Sequence, residues 1–155
     1  MQTFLPYSSF EKSAEALDSK RLGKQRVEGM QILNAIQGKL TKKGLPYRGW
    51  TSHPITVMWR GYTDSLKEYV NCIIREWIKR GYKNTMSIYE IPDQKETPVW
   101  LGNESFHASH RASLLRKDFE YYTKKGWKEV PSPNVLWYKE DKWYTTRRQD
   151  KQLAT

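Results

Sequence analysis

The chain has 155 residues, with 27 Lys and Arg against 17 Asp and Glu, which gives a formal net charge of +10 and a pI near 9.6. This length fits one domain with a single core and leaves little room for a separate cofactor module. A mean hydropathy of −0.87, with no run of about 20 apolar residues, excludes a helical membrane span.

The cysteine and aromatic content narrows the class of protein further. Cys72 is the one cysteine, which excludes an internal disulfide and a Cys-based zinc cluster. The N-terminal residues lack a signal-peptide pattern, so we expect an intracellular, cytoplasmic protein, associated with the nucleoid if the host is bacterial. Seven Trp and ten Tyr add rings that stack on bases. Nucleic acid is therefore the first partner to consider, and a basic surface kept for solubility is the alternative.

The first seven residues form a short apolar arm that ends in a turn marked by Pro6. Ser8 and Glu11 have the spacing of a capping box. They predict a short helix that runs to about Leu17.

Asp18 predicts the N-cap of a second helix, which runs from Ser19 to about Gln37 and ends at Gly38. Its apolar residues recur at helical spacing and predict one packed face. That face contains Leu22, Gly29, Met30, Leu33 and Ile36.

A basic loop over residues 38–52 separates this helix from the strongest helical pattern in the chain. A loop of about 15 residues in a compact domain is more often functional or mobile than idle. Pro54 then predicts the first turn of one long helix that continues to Gly81. Its apolar positions are Ile55, Met58, Trp59, Tyr62, Leu66, Tyr69, Val70, Ile73, Trp77 and Ile78.

An irregular segment over residues 82–102 leads to a third long helix, capped by Asn103 and running to about Arg116. A further helical turn covers residues 118–125. No β-alternation is evident. The sequence thus predicts an all-α fold, a compact single domain of three main helices with long loops over residues 1–144, and a disordered tail over residues 145–155.

One stripe of the second helix combines a lone carboxylate with cations and an amide. At helical spacing Arg21, Lys24, Gln25 and Glu28 lie on this stripe. Such a stripe can bind phosphate beside one acid, whereas the alternative is a solvated face with i,i+4 pairs. Arg26 projects into the apolar arc, where an arginine either snorkels or serves a site.

A second polar cluster lies on the third long helix. His107, His110 and Arg111, with Arg116 and Lys117 one to two turns later, suit contacts to phosphate. Two histidines without a carboxylate pair or a cysteine do not make a metal site, so we expect no metal. The alternative is a polar helix face with one satisfied histidine.

A search for nucleophiles leaves only amines. The chain has no Gly-x-Ser-x-Gly, P-loop or GxGxxG pattern, and Cys72 suits a small core residue. Lysines such as Lys20 and Lys24, or the α-amine of the chain, remain. The α-amine has a reference pKa of about 7.7 to 8.0, so it is partly neutral at cellular pH and can form a Schiff base.

Three segments resemble the pyrimidine-dimer DNA glycosylases of the phage endonuclease V type. Arg21-Leu22, followed six residues after the Leu by Glu28, matches the acid-bearing helix of that family. Residues 78–84, Ile-Lys-Arg-Gly-Tyr-Lys-Asn, resemble the end of its long helix, and residues 109–114 resemble its third helix. The resemblance covers about residues 1–120 in the family's order. The chain looks like a member of a divergent branch of this family, judged from two segments, Thr3 to Tyr7 and Lys20 to Glu28.

This resemblance implies a glycosylase that also cleaves the DNA backbone. In the family the N-terminal α-amine attacks C1′ of the damaged nucleotide, a glutamate supports base departure, and β-elimination follows. These roles fall here on Met1 and Glu28, because a side chain as large as that of Gln2 normally blocks removal of the initiator Met. If the amine cannot reach C1′, Glu28 could activate water instead, giving a monofunctional glycosylase for a damaged or modified base. A non-catalytic DNA- or RNA-binding module on the same scaffold is the rival.

The expected partner is double-stranded DNA with a damaged or modified base, bound by a monomer without a cofactor. The catalytic residues are expected to be Glu28 and Met1. The expected DNA-binding residues are Arg21, Lys24, Gln25, Arg26, Lys42, Lys43, Arg48, His53, His107, His110, Arg111, Arg116 and Lys117.

Overall fold

The computed structural model describes residues 2–145, except for the side chain of Arg48. Its architecture is mainly helical, as predicted, and α2, α5 and α6 are the three main helices. The predictions for Met1 and for residues 146–155 of the tail lie outside the described residues. The elements are α1 (Phe10–Ala16), α2 (Ser19–Ile36), α3 (Arg48–Thr51), α4 (Pro54–Trp59), α5 (Thr63–Lys79), α6 (Glu104–Lys117), α7 (Phe119–Thr123), β1 (Trp137–Lys139) and β2 (Lys142–Tyr144).

The first two helices begin at side-chain caps. Ser9 caps α1, its Oγ accepting from the Lys12 N–H at 3.1 Å, so the prediction of Ser8 was one residue too early. Asp18 caps α2 as predicted, with Oδ2 accepting from the Arg21 N–H at 3.3 Å. Gly38 follows this helix with a φ of +71°, a conformation that glycine adopts without steric penalty. None of the helices within residues 2–145 is long and apolar enough to cross a membrane.

The prediction of a single helix from Pro54 to Gly81 is wrong, because the structure has two helices there, α4 and α5. Gly61, between the two, has a φ of +91°, which breaks the α-helical path. Apolar residues continue at helical spacing across the break because both helices bury their faces in the same core. Pro54 is the first residue of α4 and Asn103 is the N-cap of α6, both as predicted.

A β-hairpin near the end of the described chain was also missed. In the antiparallel pair of β1 and β2, Trp137 lies opposite Tyr144 and Lys139 opposite Lys142. The turn residues Glu140 and Asp141 have φ values of 52° and 62°, which hairpin turns usually obtain from Asn-Gly or Asp-Gly. Without that dipeptide the sequence carries no strong hairpin signal.

The core is built on the close packing of α2 against α5. At Gly29 the two helices approach so closely that an added Cβ would lie 2.7 Å from Val70 Cγ2. Leu22 and Leu33 on α2 and Ile73 on α5 are fully buried. This packing fixes which face of α2 remains open to solvent, and Glu28 lies at the edge of that face.

Gly29→Ala should therefore destabilise the fold although alanine favours a helix. The clash with Val70 should cost about 1–3 kcal/mol, against a gain of about 1 kcal/mol in helix propensity. Urea unfolding of Gly29→Ala, Val70→Ala and the double variant tests the contact. The double variant should be less destabilised than the two single losses together, because Val70→Ala removes the clash. A Gly29→Ala variant more stable than wild type, as helix propensity alone would make it, would contradict this packing.

Candidate active site

The N-terminal arm, residues 2–7, runs through the interior between α2, α5 and α6 without forming a helix or a strand. Thr3, Phe4 and Leu5 are 1%, 7% and 0% exposed. Buried peptide groups must find hydrogen-bond partners, and here side chains of the helices provide them. The position of the arm is thus set by specific side chains.

Gln25 makes the central contacts to the arm. Its Nε2 donates to the carbonyl of Gln2 at 2.7 Å, and its Oε1 accepts from the N–H of Phe4 at 2.8 Å. The Tyr69 hydroxyl lies 2.7 Å from the same Oε1 and 2.9 Å from the Phe4 carbonyl oxygen. Gln25 is only 2% exposed, so its amide serves the arm and is not free for the expected phosphate contact.

The carboxylate of Glu28 meets the beginning of the described chain. Its Oε2 accepts from the backbone N–H of Gln2 at 3.3 Å and lies 3.5 Å from Gln25 Nε2. Glu28 is half-buried, one turn along α2 from Gln25. Glu28, the lone acid of the predicted stripe, therefore lies beside the first described residue of the N-terminal arm.

Gln2 and Glu28 both line a cleft of about 300 Å³. All four members of the predicted stripe line it, and Lys117, expected at the DNA, joins them from the end of α6. Ser113, Pro133 and Val135 were not predicted, because small or apolar residues far along the chain carry no signal for a wall of this site. The full lining is Gln2, Phe4, Lys20, Arg21, Lys24, Gln25, Glu28, Ser113, Lys117, Pro133 and Val135.

Positive charge surrounds the single carboxylate of the cleft. Partial burial, followed by the nearby charge of Arg21, lowers the pKa of the Lys117 ammonium, while Glu28 acts in the opposite direction. Asp18 anchors the Arg21 guanidinium at 3.2 Å. Burial opposes ionisation of Asp18, but hydrogen bonds from Tyr122 and Arg21 outweigh it and hold the pKa of that carboxyl below its ordinary value. Asp18 thus stays ionised and keeps Arg21 at the cleft.

Arg26 lies outside this cleft, on a shallower groove of about 490 Å³ that also borders Glu28. Its guanidinium sits over the ring of Trp77, 5.1 Å from the centroid, and donates to Asn84 Oδ1 at 2.7 Å. Tyr82 stacks on Trp77 with ring centroids 4.2 Å apart. Arg26 therefore ties α2 to the end of α5 and the segment after it.

Three residues expected to contact phosphate are instead interior. His107, His110 and Arg111 are 1%, 1% and 9% exposed. Arg111 donates to the carbonyl of Pro6 at 2.7 Å and pairs with Glu104 and, at 3.1 Å, Glu129. The two histidines contact the backbone of the arm. These three residues face the arm and not solvent. Their contact with phosphate stays a prediction, and this arrangement does not favour it.

Four other residues expected at the DNA lie outside the cleft lining. Arg116 is exposed at the end of α6, and Lys42 and Lys43 are exposed in the loop after α2. His53 caps α4, with Nδ1 accepting from the Ile55 N–H at 3.1 Å. The side chain of Arg48 lies outside the described part of the structure.

The arrangement suits chemistry by an acid and an amine. Burial raises the pKa of the Cys72 thiol to about 11, so this group stays protonated and is a poor nucleophile. In residues 2–145 no three His, Cys, Asp or Glu side chains are grouped closely enough to hold a metal ion. The cleft offers one carboxylate, amines, and cations able to neutralise phosphates.

Comparison with known proteins identifies the class. A family model described as pyrimidine dimer DNA glycosylase matches residues 1–90, more than half of the chain. No curated protein and no solved structure matches the chain. The matched region contains the N-terminal arm, α2 and α5, and therefore Glu28 and most of the cleft lining. The chain belongs to the pyrimidine dimer DNA glycosylase family.

Proposed function

We propose that this protein cleaves an N-glycosidic bond at a pyrimidine dimer and then cleaves the DNA backbone, using the α-amine of Met1 as nucleophile and Glu28 as the acid and base. One observation carries the proposal: the Gln2 nitrogen lies 3.3 Å from Glu28 Oε2, at the wall of a cationic cleft. Membership of the family supports DNA as the substrate and glycosylase as the activity.

Covalent geometry limits how far an α-amine one residue before Gln2 can lie from the acid. Successive backbone nitrogens are joined through one Cα and one carbonyl carbon, which keeps them within about 3.7 Å of each other. An α-amine one residue before Gln2 is therefore within about 7 Å of Glu28 Oε2. Its reference pKa of about 7.7 to 8.0 leaves a neutral fraction at cellular pH.

The proposed reaction needs only these two groups. The neutral amine attacks C1′ of a nucleotide of the dimer and the N-glycosidic bond breaks. The base departs from C1′ with its electron pair and takes up a proton, and the cyclobutane ring keeps it joined to the other pyrimidine. Ring opening gives an imine between C1′ and the amine. Removal of a C2′ proton then expels the 3′ phosphate by β-elimination, and water releases the amine. Glu28 transfers protons at the sugar, and the surrounding cations hold the flanking phosphates.

Glu28→Gln should lower single-turnover excision on a duplex with a cyclobutane dimer by about 100-fold or more, because the proton-transfer group is lost. DNA affinity should change little, since the glutamine oxygen can still accept from Gln2. Glu15→Gln, at an exposed position of α1 and outside the cleft lining, is the matched control and should keep wild-type rates. Excision by Glu28→Gln within twofold of wild type would remove Glu28 from the mechanism.

Borohydride should trap a covalent adduct with damaged or abasic duplex. Peptide mapping should place it on the first residue, and blocking the α-amine should abolish it. Intact mass of the same sample shows whether Met1 is retained. An adduct on Lys20, Lys24 or Lys117 would refute the α-amine as nucleophile, and cleavage of the N-glycosidic bond without an adduct would favour activated water. If no N-glycosidic bond is cleaved in any lesion duplex, a non-catalytic DNA-binding module is the remaining function.

Lys24→Gln and Lys117→Gln should each weaken binding and reduce its salt dependence, because each removes a cation of the cleft. Loss of one phosphate contact lowers the slope of log K against log salt by about 0.9. Lys95→Gln is the control, since Lys95 pairs with Glu68 at 3.0 Å outside the cleft. Binding titrations at several salt concentrations measure the slopes. Unchanged slopes in both cleft variants would show that DNA does not bind at this face.

A further inference from the structure

The two histidines of α6 hold both peptide groups of Leu5. The Leu5 N–H donates to His110 Nδ1 at 2.9 Å, and the Leu5 carbonyl oxygen lies 2.8 Å from His107 Nδ1. Leu5 itself has no exposed surface. One residue of the arm is thus held from two sides by a single helix.

The hydrogen bonds determine the tautomer of each ring. His107 Nε2 accepts from the Gly102 N–H at 3.0 Å, so its proton is on Nδ1 and is donated to the Leu5 carbonyl. His110 accepts at Nδ1, so its proton is on Nε2. Burial lowers the pKa of both rings, that of His110 to about 3. Both histidines are therefore neutral at physiological pH, as their accepting nitrogens require.

The second ring nitrogen of His110 indicates that this residue does more than stabilise the fold. Its Nε2 is buried and has no hydrogen-bond partner within residues 2–145. A buried polar group without a partner is destabilising, and an apolar side chain of similar size would avoid this penalty. What histidine provides at this position is the acceptor Nδ1, which binds the Leu5 N–H of the arm.

The contact at Leu5 extends to Glu28 through a short run of fixed backbone. The next residue toward the N-terminus, Phe4, donates to Gln25, and the carbonyl of Gln2 accepts from the same side chain. The Gln2 N–H then donates to Glu28. With Leu5 and Gln25 both holding the arm, Gln2 has little freedom to move away from the carboxylate.

We propose that His107 and His110 are positioning residues, a neutral clamp on the Leu5 peptide groups that keeps the start of the chain at Glu28. The inference rests on the proposed function for its catalytic consequence. The clamp neither touches DNA nor reacts, and it acts through the arm.

Two substitutions at His110 separate positioning from packing. Asparagine can place its Oδ1 close to the position of Nδ1 and accept from Leu5, whereas leucine fills the space without an acceptor. Leu115→Ala is the control, because Leu115 is a buried residue of the same helix whose side chain makes no hydrogen bond to the arm. Thermal unfolding ranks the stability losses of the three variants.

Two readouts are needed, amide hydrogen exchange of residues 2–5 and the single-turnover rate of borohydride-trapped imine formation. His110→Leu should speed exchange of the arm and slow imine formation by about 10-fold or more, since misplacement by about 1 Å can cost 10²-fold. Its DNA affinity should stay near wild type. His110→Asn should restore both readouts, and Leu115→Ala should keep the wild-type rate despite a lower melting temperature.

Unchanged arm exchange in His110→Leu would overturn the clamp, as would a wild-type rate with a loosened arm. If the wild-type protein forms no imine at all, the proposed function fails, and arm exchange still decides whether the clamp exists. In that event, loosening in His110→Leu with recovery in His110→Asn supports the clamp as a device that holds the arm.

Discussion

The structure depends on satisfying the peptide groups of a buried N-terminal arm that has no helix or sheet of its own. An unpaired peptide group in the interior is costly, so this arm can be buried only where side chains replace a backbone ladder. Gln25 suits the task because one amide both donates and accepts, reaching Gln2 and Phe4 together. His110 and Arg111 continue the pairing at Leu5 and Pro6.

The same helices that hold the arm also surround the cleft with charge. Packing of α2 against α5 at Gly29 directs Gln25 inward and leaves Lys24 exposed. Glu28 lies between these two environments, with the arm on one side and the cationic cleft on the other. A negative phosphate backbone drawn to the cleft would therefore bring a sugar near both the carboxylate and the start of the chain.

Much of this arrangement could be predicted from local patterns. The cap at Asp18, the end of α2 near Gly38 and the helical stripe containing Glu28 depend on short-range chemistry, and the structure has them. The burial of Gln25 and His110 could not be predicted, because their partners are backbone groups 21 and 105 residues away. Polar residues of this kind are usually exposed, and no spacing within a helix reveals an arm that lies against it.

The most direct test is a crystal structure of the protein after borohydride reduction on an abasic duplex. We expect a covalent bond from C1′ to the α-nitrogen of the first residue, with the sugar in the cleft and within hydrogen-bonding distance of Glu28. The flanking phosphates should lie against Lys24 and Lys117. A sugar bound to a lysine side chain, or a duplex on a face of the molecule remote from Glu28, would contradict the proposed mechanism.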